Sequence, residues 1–177
     1  GKIIIILFSV GCSIITYLIC LKLWDKTTAI FSALLFSFTP TVFIFSNIIY
    51  SDIPSAFFLL VGIYFFLENK HHLSGLLFGI AFMTRFYHIF FLIPIVLIYS
   101  FWLLKKKIQV RNIILFFVFF LIPIIPFLTL NVYLYKNPIY PFILQAFMTK
   151  YTGWIFHHNT TYYFINILKE NILLIFS

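Results

Sequence analysis

The sequence predicts an all-α fold, a polytopic bundle of about six or seven transmembrane helices resembling a single domain over residues 1–177, and three observations carry that expectation. Hydrophobic residues make up 63% of the chain and charged residues only 9%, whereas soluble domains carry about half and a quarter, so no soluble core hides this much apolar surface. The apolar residues come in long continuous runs, not in the alternating segments of about ten residues that build a barrel. Backbone amides in hydrocarbon must be satisfied within their own segment, which leaves the helix as the filling for each run.

The first run, 3–21, contains both cysteines, Cys12 and Cys20, with no ligand-like companions, so neither a disulfide framework nor a zinc site is indicated. It lacks a small-residue cleavage site and is followed by further runs, which argues against a removable signal peptide. The next runs cover 28–45, 53–67, 73–82, 86–104 and 113–130, and a last one starts near Tyr162. Between the last two, the stretch 131–161 holds Pro138, Pro141, Trp154 and many tyrosines. It is too polar and too broken to span, and reads as an outer interfacial loop or helix at the headgroup level, where Trp and Tyr are favoured. With no initiating Met and an end inside the apolar residues 172–177, the chain reads as a fragment.

The net charge of +8 does not indicate nucleic acid, because the basic residues cluster between apolar runs and form no stripe interleaved with aromatics. Their distribution instead orients the bundle. One set of alternate loops holds Lys22, Lys26, Lys70, Lys105, Lys106, Lys107 and Arg111, and the opposite set holds Arg85, Lys136 and Lys150. Seven against three puts the first set in the cytoplasm, since Lys and Arg collect there. The other face is then extracytoplasmic, and it gathers residues 47–52, the turn from Arg85 to His88, and 131–161.

Asp52 is the one acidic residue on that outer side. It lies in Ser51-Asp52-Ile53-Pro54, where the proline suits a first helical turn and the carboxylate lies near the positive helix end. Ser51 or Asp52 is therefore an N-cap, with or without a further role at a site. Arg85 follows Gly75-x-x-x-Gly79-x-Ala81, a small-residue pattern that lets helices approach closely. So near an apolar segment, it either snorkels to the headgroups or binds an anion such as phosphate, whose oxygens suit the guanidinium fork. The segment Tyr135-Lys136-Asn137-Pro138-Ile139-Tyr140-Pro141 sets one cation among aromatics, fit for a lipid phosphate, a sugar face or an interfacial anchor. The adjacent pairs His71-His72 and His157-His158 lack the i, i+4 spacing that converges two rings on one metal. Asn159-Thr160-Thr161 matches a glycosylation acceptor. No Gly-rich nucleotide loop, nucleophile elbow or metalloprotease helix occurs.

The order of features resembles the membrane-embedded GT-C glycosyltransferases, in the branch of dolichyl-phosphate-mannose protein mannosyltransferases and aminoarabinose transferases. The matching pieces are Tyr17-Leu18-Ile19-Cys20-Leu21-Lys22-Leu23-Trp24, Phe38-Thr39-Pro40, the stretch from Asn47 to Asp52, and Gly75-Leu76-Leu77-Phe78-Gly79-Ile80-Ala81-Phe82-Met83-Thr84-Arg85. They continue with Pro94, the basic loop from Lys105 to Arg111, and Pro123 with Pro126 ahead of Asn137-Pro138, covering roughly 1–142. The resemblance implies transfer of a sugar, mannose or another hexose, from a polyprenyl-phosphate donor to a protein or lipid-linked glycan acceptor on the outer face. It makes Asp52 a second acidic residue of the catalytic site, organising the acceptor or a divalent cation (Mg or Mn). It makes Arg85 the holder of the donor phosphate, with Tyr87, His88, Lys136 and Tyr140 as further substrate-binding candidates. The family's principal acidic motif lies in a first outer loop ahead of these pieces, so the resemblance implies a fragment without its general base. The expected setting is a multi-pass integral membrane protein, of a prokaryotic plasma membrane ahead of the endoplasmic reticulum. The competing reading is a transporter or flippase segment, against which stand the absence of repeated halves and the placing of Asp52 and Arg85 at run ends. A structural membrane subunit is the third.

Overall fold

The computed structural model describes residues 1–47, 51–105 and 109–151, the side chains of 87, 145, 146 and 148–151 excepted. All regular structure among them is helical: α1 Lys2–Leu23, α2 Lys26–Phe38, α3 Pro40–Ser46, α4 Asp52–Leu67, α5 His71–Thr84, a 3-10 turn Phe86–Phe91, α6 Leu92–Leu104, α7 Val110–Leu121, α8 Ile124–Tyr135 and α9 Tyr140–Tyr151. The chain divides into two compact units, Gly1–Ile124 and Ile125–Ser177.

Each boundary has a local cause. Asp25 caps α2, its carboxylate accepting from the Thr27 N–H at 2.8 Å and the Thr28 N–H at 3.2 Å. The run expected over 28–45 is broken at Thr39, whose ψ of 123° is the extended conformation that a following proline imposes. Pro40 then opens α3, and the two helices bend by 59°. The α4–α5 turn is a Schellman arrangement, with Lys70 N–H donating to the Phe65 carbonyl at 2.9 Å and Asn69 N–H to that of Phe66 at 3.1 Å. Asn69 takes the left-handed position this needs, with φ of 59°.

In the first unit α5 packs against α4 and α7, and α1 against α2 and α4. The α5–α7 approach is the closest: a Cβ at Gly75 would stand 2.0 Å from the Phe116 carbonyl oxygen, and one at Gly79 2.4 Å from that of Phe120. Around this seam lie the buried Phe78, Tyr99 and Phe116. Two polar contacts lie within it: Ser74 Oγ donates to the Gly62 carbonyl at 2.8 Å, and the Tyr99 hydroxyl and His71 Nδ1 are 2.9 Å apart. Large apolar side chains such as Ile3, Phe31, Phe38, Phe90 and Leu104 are exposed instead, which suits an apolar solvent. By length and composition Lys2–Leu23 and Val110–Tyr135 can cross a membrane, and a third span arises if α2 and α3 count as one broken helix. Helices Asp52–Leu67 and His88–Leu104 are apolar but shorter.

Candidate functional site

The 16 residues of α4 rise about 24 Å, and different chemistry sits at its two ends. At the C-terminal end Glu68 pairs with Lys22, joining the α1–α2 and α4–α5 turns. The hydrogen bond and charge of Lys22 hold the Glu68 carboxyl below the usual carboxylate range, and the Thr28 hydroxyl and N–H do the same for Asp25.

At the N-terminal end Ser51 occupies the cap position and makes no side-chain capping bond. Asp52, in the first turn, instead accepts from Arg85: Nη2 and Oδ2 are 2.6 Å apart, with the two side chains 25% and 27% exposed. Arg85 is delivered there as the C-cap of α5, its backbone extended at φ −148° and its N–H still bonded to the Ala81 carbonyl at 2.9 Å. The 3-10 turn follows, and its His88 N–H donates to the Arg85 carbonyl at 3.2 Å. The His88 side chain is 5% exposed, lies against Phe91, and feels the charges of both Asp52 and Arg85. The structure thus brings together three of the expected site residues, Asp52, Arg85 and His88, and lifts Asp52 out of a purely capping part. The side chain of Tyr87 lies outside the described residues.

Lys136 and Tyr140 belong to the second unit, where they share one turn. Lys136 holds a left-handed φ of 56° after α8, and Tyr135 and Tyr140 stack with centroids 4.5 Å apart. Asn131, buried, donates from Nδ2 to the Pro138 carbonyl at 3.2 Å, and Asn137 Oδ1 accepts from the Ile139 N–H at 3.0 Å. The sequence reading passed over Asn131 as the mere edge of a loop; a polar residue ending an apolar run was its only signal. His157, His158, the tripeptide from Asn159 and the run from Tyr162 lie outside the described residues.

Among the described residues no group of three or more His, Cys, Asp or Glu could hold a metal, and the Asp52 carboxylate faces a guanidinium.

Among known proteins, no curated protein and no solved structure matches the chain. The family model described as dolichyl-phosphate-mannose-protein mannosyltransferase matches residues 2–129, a stretch that contains both partners of the Asp52–Arg85 pair. A helical, apolar chain matched over that length belongs to the dolichyl-phosphate-mannose-protein mannosyltransferase family, membrane glycosyltransferases of the GT-C type.

Proposed function

We propose that the chain acts in the transfer of a sugar from a polyprenyl-phosphate donor to an acceptor hydroxyl at the extracytoplasmic face of a membrane that it crosses about six or seven times. The acceptor oxygen bonds to the anomeric carbon, the bond from that carbon to the phosphate oxygen breaks, and the polyprenyl phosphate leaves with the bonding pair. The acceptor's proton passes to the carboxylate of the family's principal acidic motif, with Asp52 as the second acid. Arg85 holds the phosphate and offsets the charge that grows on it as the bond breaks. Asp52 orients the acceptor hydroxyl, and Tyr87, His88, Lys136 and Tyr140 contribute to substrate binding.

The observation that carries this reading is the Asp52–Arg85 contact at the end of α4 opposite the Lys22–Glu68 pair. An acid for a hydroxyl and a guanidinium for a phosphate stand side by side, at the end that the lysine-poor loops assign to the outside. In membranes expressing the intact parent protein, Asp52→Asn and Arg85→Ala each lower sugar transfer from a polyprenyl-phosphate donor by about a hundredfold, with membrane expression unchanged. Full transfer in both variants rejects the site.

A further inference from the structure

We propose that the Asp52–Arg85 ion pair is a latch opened by the donor: its phosphate displaces Asp52 from the Arg85 guanidinium, and the released carboxylate then receives the acceptor. This rests on the proposed function and adds an order to it, donor before acceptor.

The geometry makes the pair a built one. Asp52 is fixed in the first turn of α4 and Arg85 at the C-cap of α5. These helices are joined along their length, by the Ser74–Gly62 hydrogen bond and by Phe78 against Gly62. The two side chains are about a quarter exposed, so an anion arriving from outside the helices can reach the contact. The donor's phosphodiester and a carboxylate, each a monoanion with two terminal oxygens, compete for the same planar fork, and the donor's prenyl chain adds binding in the membrane that the carboxylate lacks. While Oδ2 is engaged at 2.6 Å, the guanidinium neutralises the carboxylate and takes up part of its accepting capacity, which makes Asp52 a weaker acceptor for a hydroxyl. Displacement frees it only when the leaving group is already bound. His88, buried and bonded through its backbone N–H to the Arg85 carbonyl at 3.2 Å, keeps the end of α5 in place as the pair opens.

The test is a double-mutant cycle on the purified chain in detergent micelles, with a long-chain polyprenyl monophosphate as probe and the corresponding polyprenol as control. Because partly exposed pairs are weak, Asp52→Asn should tighten binding of the monophosphate by about fivefold. In the Arg85→Gln background the same change should bring no gain, because the competition is for Arg85. An equal gain in both backgrounds means simple charge repulsion and overturns the latch. So does unchanged or weaker binding by Asp52→Asn, while a loss of wild-type binding on Arg85→Gln leaves the proposed function standing. If no form prefers the monophosphate to the polyprenol, both readings fall. A measurement on the unaltered chain needs no variant to fold: carbodiimide labelling of Asp52 should rise when the monophosphate is added and not when polyprenol is. Constant or reduced labelling overturns the latch.

Discussion

Tyr99 and His71 show how single residues are spent inside this chain. Their hydrogen bond spans 28 residues of sequence and is closed off from the exterior, with Phe66 edge-on to both rings. Tyr99→Phe keeps the shape and leaves a buried ring nitrogen without that bond, so it should cost about 1–3 kcal/mol, read as an earlier thermal unfolding in detergent. Asp25 and Glu68 act at the surface. Their carboxyls are held below the usual range when folded, so their contribution is full above the unfolded value near 4 and is lost as pH falls through the lower folded values. Unfolding temperature measured from pH 7 down to 3 should therefore drop at the acid end, and Glu68→Gln with Asp25→Asn should flatten that drop. The Asp52–Arg85 contact belongs to the same scale, and it was out of reach of the sequence. The acid and the cation were each legible as odd residues on one side, but 33 positions separate them and only the packing of α4 on α5 closes the gap.

Helices carry the next level of information. The Gly75-x-x-x-Gly79 pattern announced a close approach but not its partner, which is the backbone of α7. Gly75→Ala gains about 1 kcal/mol of helix propensity. It also sets a methyl 2.0 Å from a carbonyl oxygen that cannot swing away, so the net effect should be a loss of about 1–3 kcal/mol in chemical unfolding. Gly79→Ala should behave alike, since its Cβ meets Phe120 O and Pro123. The break at Thr39-Pro40 illustrates the opposite case. The proline was visible, yet its residues are apolar on both sides and the run reads through it; the backbone restriction before proline is what divides α2 from α3. In the stretch 131–161, read as an interfacial loop or helix, residues up to Tyr135 complete α8 and Tyr140–Tyr151 form α9.

For the molecule as a whole, the charge pattern predicts sidedness. With Cys12 and Cys20 replaced by serine, Lys70→Cys should react with an impermeant thiol reagent from the cytoplasmic side and Asn47→Cys from the outer side only; the reverse result inverts the orientation and removes the outer-face site with it. That α4 carries the Lys22–Glu68 pair at one end and the Asp52–Arg85 pair at the other agrees with alternate loops lying at opposite ends. The sequence by itself determined the solvent, the helical class and the family resemblance. Transfer of apolar residues into hydrocarbon and the closing of backbone hydrogen bonds are local, additive effects that any run of about 20 residues displays without knowing its neighbours. Only the tertiary structure decided which polar groups meet: Asp52 with Arg85, His71 with Tyr99, Lys22 with Glu68. Those meetings depend on how each helix is rotated and how deeply its small residues let it approach the next, quantities set by packing between segments and carried by no single stretch of chain.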